Sequence, residues 1–262
     1  KPQTTRNVIR GVKNMLDCQM VFIDTPGLHD VKGDLHKFMK KEAVSALNNV
    51  DGIILLVDAA GGHSKDDISV IELLNGVGSP VILGINKIDL VKKEVLLPII
   101  ERYSRLCPFK EIVPLSALTG DGVDELIAAA LKLLPEGPKY FPEDELTDRP
   151  VRFLAAEMIR EKIFQLTMFE VPYSVAVVVE KFVEKKGLVS IYAAINVERD
   201  SQKGIVIGKG GRMLKKIGTS AREDNERLLG VKVYLELFVK VTKDWSKDPK
   251  ALKEFGYSGG KD

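Results

Sequence analysis

Val81-Ile82-Leu83-Gly84-Ile85-Asn86-Lys87-Ile88-Asp89 is an apolar run that ends abruptly in an amide, an ammonium and a carboxylate. The run reads as a strand buried on both faces, and in an open α/β sheet the carboxyl ends of such strands carry the ligand-binding side chains. A carboxylate accepts two hydrogen bonds, so Asp89 is suited to the ring N–H and exocyclic amine of guanine, a donor pair that adenine does not present. Asn86 is set to brace a neighbouring loop and Lys87 to lie over the base. An Asn-Lys turn is also ordinary turn chemistry, so the reading needs support from elsewhere in the chain.

Two further apolar strands run into polar loops at a compatible spacing, Val21-Phe22-Ile23-Asp24-Thr25-Pro26-Gly27 upstream and Ile112-Val113-Pro114-Leu115-Ser116-Ala117-Leu118 downstream. An Asp at a strand end can hold magnesium through water, and a Gly just after it leaves a backbone N–H free to approach a terminal phosphate. Asp24 and Gly27 are the candidates for those roles. The backbone at Ser116-Ala117 is expected to approach the base from its far side. One strand-terminating turn means little, but three in this order point to one nucleotide site.

Strands expected near 20–24, 52–58, 80–86 and 111–115 alternate with helical patterns at 34–49, 64–76, 95–106 and 123–134, which is an α/β arrangement. Ile53-Ile54-Leu55-Leu56-Val57 reads as the plainest core strand, and Asp58 as a turn residue closing it. Pro135-Glu136-Gly137-Pro138-Lys139-Tyr140-Phe141-Pro142 is punctuated like a linker. The expected domains are therefore 1–138 and 150–262, with 139–149 between them. Thr147 or Asp148 with Pro150 is expected to start the helix of the second domain.

The second domain carries its own signal. Ser174 to Glu184 and Leu188 to Glu198 alternate as paired strands around a Lys185-Lys186-Gly187 turn. Ile205-Val206-Ile207-Gly208-Lys209-Gly210-Gly211-Arg212 then brings glycines, which let phosphates come close, together with Lys209 and Arg212. From Ser201 to Arg222 there are six Lys or Arg, Lys215 and Lys216 among them, and no Asp or Glu. With a final strand from Val231 to Val241 the order is α-β-β-α-α-β. This is similar to a type II KH domain, whose GxxG loop clamps single-stranded nucleic acid; Gly208, Lys209, Gly210, Gly211, Arg212, Lys215 and Lys216 are its candidate RNA contacts.

Composition sets limits. The 262 residues, 45% of them hydrophobic, suffice for one large or two ordinary domains with real cores. Cys18, Cys107, His29, His36 and His63 are too scattered for a disulfide or metal framework, which fits a reducing cytoplasm. No apolar stretch reaches the roughly 18 residues that span a bilayer. Residues 1–150 hold 18 Lys and Arg against 22 Asp and Glu, and residues 151–262 hold 21 against 15. A net −4 beside a net +6 suggests a polyanionic partner for the second half.

The first-domain motifs resemble the translation-factor-like GTPases, and Lys1-Pro2-Gln3-Thr4-Thr5-Arg6 narrows the resemblance to the Era family within the TrmE-Era-EngA-like group. Asp-Arg-Pro at 148–150, Pro-Tyr-Ser-Val at 172–175 and Leu252-Lys253-Glu254-Phe255-Gly256-Tyr257 extend the resemblance over essentially the whole chain. It implies a P-loop-type GTPase domain followed by an α+β KH domain, with GTP or GDP and Mg2+ as cofactors. By the same resemblance Thr4 or Thr5 approaches magnesium, the metal contacts being Thr5 and Asp24. Asp24, Thr25, Pro26 and Gly27 form the phosphate loop, Asn86, Lys87 and Asp89 read the base, and Ser116, Ala117 and Leu118 support it. The implied role is in 30S ribosomal subunit assembly, with the 3′ end region of small-subunit ribosomal RNA as partner, no obligate protein partner, and peripheral association with the inner face of the membrane.

Two departures stand out. The family's G-x-x-x-x-G-K-[ST] loop is absent, since Gly208-Lys209 is followed by Gly and lacks a Gly five residues earlier. The expectation is an N-terminally truncated GTPase, lacking its first strand, phosphate loop and first helix, that binds nucleotide poorly alone. Leu28 stands where Ras-type enzymes place the water-orienting Gln, and His29 beside it reads as solvated, so no catalytic residue is assigned and slow intrinsic hydrolysis is expected. The alternatives are an RNA-binding module with a non-catalytic α/β scaffold, and a GTPase whose KH-like half docks protein.

Overall fold

The computed structural model describes residues 5–28, 33–61, 64–143 and 145–257. Three parallel strands, β3 (Ile53–Asp58), β4 (Val81–Asn86) and β5 (Glu111–Pro114), form a sheet in the order β3-β4-β5. β4 is central and buried from Val81 to Ile85. Gly84 is where its neighbours close in: a Cβ there would fall 2.6 Å from Leu56 Cδ2 and 3.0 Å from Leu115 Cδ2. Helices α2 (Lys65–Leu74), α3 (Lys93–Ser104) and α4 (Val123–Leu131) connect and cover the sheet. A reciprocal cap starts α2, with Asp67 N donating to Ser64 Oγ and Ser64 N to Asp67 Oδ2, both at 3.0 Å.

The two remaining strands of this half are not parallel, and the first of them has no counterpart among the expected strands. β1 (Ile9–Asn14) and β2 (Gln19–Asp24) form an antiparallel hairpin running from Ile9↔Asp24 to Asn14↔Gln19. Among the described residues this hairpin shares no ladder with β3. An apolar groove lined by Phe22, Ile23, Leu28, Leu47, Val50 and Leu133 separates them. Among the described residues β3 borders this sheet, with Leu56 53% exposed, and β4 is its most buried strand. β1 gives no strand signal in the sequence because Arg10, Gly11 and Lys13 interrupt it and only Val12 is buried.

The second half follows the α-β-β-α-α-β order: α5 (Val151–Leu166), β6 (Ala176–Lys185), β7 (Leu188–Val197), α6 (Asp200–Ile207), α7 (Arg212–Leu229) and β8 (Lys232–Val241). β6 and β7 are an antiparallel hairpin, and β8 lies parallel to β7 on its other side. Ala155, Ile159 and Ile163 of α5 and Ile217 and Ala221 of α7 recur every four residues. They pack against Val177, Ile191, Ala193 and Ile195 of the sheet to form the largest core. α5 begins with Pro150 at its cap, so the predicted start at Thr147 or Asp148 falls outside it. Asp148 instead pairs with Arg10 at 2.5 Å, and Thr147 Oγ1 accepts from Arg149 N at 3.3 Å.

The halves share a seam. Leu35 and Met39 of α1 (Asp34–Ala46) pack with Ala176, Trp245 and Tyr257 and with Ala251 and Leu252 of the short α8 (Pro249–Glu254). The stretch between the domains is strapped to β1 and β2. Gln19 Oε1 accepts from Tyr140 N and Phe141 N at 2.8 and 2.9 Å, Val12 N donates to Leu146 O at 2.8 Å, and Arg149 Nε to Val8 O at 3.0 Å.

Candidate functional site

The ends of β3, β4 and β5 converge as the strand-end reading requires. Lys87 turns the chain in the left-handed region at φ 66, uncommon for a residue with a Cβ. Asn86 holds it there, its Oδ1 accepting from Lys87 N at 2.7 Å. The same oxygen accepts from Ala117 N at 2.9 Å, so one side chain ties the β4 loop to the β5 loop. Ser116, fully buried, donates from Oγ to Asp89 Oδ1 at 2.5 Å, which aims the carboxylate and leaves Oδ2 and a second lone pair of Oδ1 as acceptors. Leu118 stands 88% exposed at the rim.

Asp58, read from sequence as a turn residue, belongs to this site. Its Oδ1 accepts from Ala60 N at 2.8 Å and Gly61 N at 3.2 Å, and its Oδ2 pairs with Lys87 Nζ. That bond to the Lys87 ammonium holds the Asp58 carboxyl below the usual carboxylate range. A carboxylate ending a strand beside a Lys-bearing loop was the available signal, but the sequence alone does not place residue 58 against residue 87.

On the hairpin side, Thr5 Oγ1 donates to Asp24 Oδ2 at 2.9 Å. The pair offers two hard oxygens side by side, a donor set that suits magnesium bound mainly through water and phosphate. Thr25 follows half-buried, Pro26 buried and Gly27 exposed. Thr4 and His29 lie outside the described residues. Leu28 is half-buried and lines the apolar groove, where it orients no water.

The second region lies at the start of α7. Gly208, at φ 70, ends α6, and a Cβ there would fall 2.7 Å from Met213 Cβ; only glycine lets the two helices meet this closely. Lys209–Gly211 make one 3-10 turn, closed by Gly211 N donating to Gly208 O at 3.1 Å. No side chain caps α7, so its first-turn N–H groups face outward with the positive end of the helix dipole. Lys209, Arg212, Lys215 and Lys216 are all exposed around them. Gly211 of the turn, Leu214, Lys215 and Gly218 of α7 and Leu235 and Leu237 of β8 line an adjoining groove of about 410 Å³. The arrangement offers a basic rim, bare backbone and an apolar floor, a combination suited to single-stranded nucleic acid.

Comparison with known proteins finds both parts. Residues 5–136 match the elongation factor Tu GTP binding domain, and residues 170–246 match the KH domain. The chain is 59% identical over 258 residues to GTPase Era of Geotalea uraniireducens (strain Rf4), covering 98% of this chain and 87% of that protein. It is 48% identical over 262 residues to GTPase Era of Ruminiclostridium cellulolyticum, covering 100% and 88%. Among solved structures it superposes with a TM-score of 0.94, at 41% identity, on Era in complex with MgGDPNP and nucleotides 1506-1542 of 16S ribosomal RNA, covering 98% of this chain and 88% of that one. A variant of Aquifex aeolicus Era bound to GDP.AlF4- gives a TM-score of 0.92, also at 41% identity, covering 98% and 89%.

Proposed function

The chain belongs to the Era family of GTPases, and from that premise we propose that it binds and hydrolyses GTP and grips the 3′ end region of small-subunit ribosomal RNA during 30S subunit assembly. The observation that carries the reading is the bracing of Asp89 by Ser116 and of the β4 loop by Asn86, which leaves a carboxylate edge aimed outward to take two donors. Asp89 reads guanine, Lys87 covers its ring, and Ser116, Ala117 and Leu118 support the base. Thr25, Pro26 and Gly27 form the phosphate loop. Thr5 and Asp24 hold Mg2+, which when bound neutralises phosphate charge. Leu28 lines the apolar groove and its side chain cannot orient water, so intrinsic hydrolysis is slow.

The RNA half works through Gly208, Lys209, Gly210, Gly211, Arg212, Lys215 and Lys216, whose exposed charge and uncapped helix start favour a phosphate backbone. We take residues 1–138 and 150–262 as the two domains, with 139–149 as the strap between them. Cys18 and Cys107 are free thiols, which supports a cytoplasmic location. Among the described residues no helix is long and apolar enough to cross a membrane. The family resemblance leads us to add peripheral contact with the inner membrane face, which flotation with anionic vesicles tests.

The deciding experiment measures binding of labelled GTP and GDP to the full-length protein with ATP as competitor, alongside RNA binding across a salt series. Guanine nucleotide binding that ATP leaves intact, with RNA affinity falling as salt rises, is the expected result. RNA binding without nucleotide binding would leave an RNA-binding module on an inert scaffold. Nucleotide binding without salt-dependent RNA binding would leave a GTPase with a protein-docking half. Fast basal hydrolysis would overturn the assignment of Leu28.

A further inference from the structure

Arg6 is fully buried, yet among the described residues its hydrogen-bond partners are all uncharged. Nη1 donates to Val175 O at 2.7 Å and Nη2 to Tyr173 O at 2.6 Å and Pro172 O at 3.3 Å. Tyr257 Oη lies at the limit of reach, 3.5 Å from Nη1. The rings of Trp245 and Tyr257 stack on each other with centroids 5.7 Å apart, and the guanidinium lies beside the pair, its Cζ 5.9 and 5.8 Å from the two centroids; Nε has no partner among the described residues. A buried cation whose hydrogen-bond partners among the described residues are carbonyls and a phenol recovers little of its desolvation cost. It is a poor device for stability but fixes one geometry.

Its position in the chain gives that geometry a use. Arg6 directly follows Thr5, whose hydroxyl is bound to Asp24 at the phosphate and magnesium site. The carbonyls it grips, 172–175, lead directly into β6 of the RNA half. Trp245 is tied to the same segment, its Nε1 donating to Ser174 O at 3.0 Å. α1, which comes after the loop containing Asp24 and Gly27, sets Leu35 and Met39 against the same Trp245 and Tyr257 cluster. Both segments that border the proposed phosphate and magnesium site therefore meet one aromatic cluster on the RNA half.

We propose that Arg6 is the coupling residue between the two halves: ordering of Thr5 at the phosphate site seats its guanidinium against the 172–175 carbonyls beside the stacked Trp245 and Tyr257 pair, and that seating sets the RNA-binding half in its high-affinity arrangement. This rests on the reading of the protein as a GTP-switched RNA binder. Trp245 is the single tryptophan of the chain, so its emission reports whether the cation is seated.

The test uses the full-length protein, a nonhydrolysable GTP analogue or GDP, and an RNA spanning nucleotides 1506-1542 of 16S ribosomal RNA. In the unsubstituted protein the analogue should raise RNA affinity about tenfold over GDP, within the range of allosteric couplings, and change Trp245 emission. Arg6→Lys keeps the charge but loses the planar fork that reaches three carbonyls. It should bring the affinity ratio close to one and abolish the emission change while GDP binding is retained. A preserved ratio in Arg6→Lys overturns the coupling role and leaves the switch reading standing. No nucleotide dependence in the unsubstituted protein overturns the switch reading and this inference together. Should Arg6→Lys fail to fold, the unsubstituted protein decides: emission that ignores the nucleotide overturns the proposal.

Discussion

The base site and the glycine turn of α7 solve recognition in opposite ways. At the base site nearly every polar group is tied to another before any ligand arrives: Ser116 to Asp89, Asn86 to both Lys87 and Ala117, Lys87 to Asp58. At the glycine turn the backbone is bare, the helix start uncapped and the cations exposed. The first construction gives directional hydrogen bonds and hence discrimination between bases. The second gives positive potential and close approach, which favour any single strand and weaken with salt. Substitutions should separate the two regimes.

The largest effect is expected at the base site. Asp89→Asn replaces an acceptor pair by a mixed donor and acceptor, and should weaken GTP and GDP about 100-fold while raising the relative affinity for xanthine nucleotides. Calorimetry with both bases measures it, and equal loss for guanine and xanthine would break the contrast. Gly208→Ala is next, since its Cβ meets Met213 and φ is positive. It should cost about 2 kcal/mol of stability in the RNA half, read as a lowered Tm, with guanine binding untouched. Lys209→Ala combined with Arg212→Ala should lower RNA affinity about tenfold and flatten its salt slope by about 1.4, the signature of two lost phosphate contacts on a single strand. An unchanged slope would mean these cations do not face phosphate.

Ser116→Ala should weaken GTP and GDP by the same factor, about fivefold, because only the aim of Asp89 is lost. A loss confined to one nucleotide would place Ser116 in phosphate sensing instead. The smallest effect concerns acid. Asp224 bonds Lys162, which lowers its carboxyl below the ordinary range, with Arg227 adding to the effect. A depressed folded-state value contributes stability above the unfolded value near 3.9 and loses it as pH falls through the folded one. Lys162→Met should therefore unfold the RNA half at a slightly higher pH below about 4, followed by circular dichroism.

Local chemistry made much of this legible. β4 and its Asn-Lys-Ile-Asp end, β3, β5, both strands of the β6–β7 hairpin and the glycine turn appear in the structure where periodicity and turn residues predict them. What the sequence withheld concerns partners across space. β1 alternates too weakly to declare itself, and the sequence of β2 does not say that its ladder runs antiparallel. Pro and Gly between residues 135 and 142 announce a break in the chain, yet nothing in them announces that Gln19 will bind Tyr140 and Phe141. Asp58 reads as a turn residue until Lys87 comes alongside. Arg6 is the extreme case, because a charged residue in a polar stretch gives no sign of burial.

The parallel placement of β8 beside β7 bears on when the RNA half matures. An emerging polypeptide can pair β6 with β7 at once through a two-residue turn, but β8 reaches its place only after α6, the glycine turn and α7 have been synthesised and folded back. Leu235 and Leu237, the floor of the groove, arrive with β8. A nascent chain still on the ribosome thus displays the glycine turn before it has the floor, and the complete grip appears in one late, cooperative step.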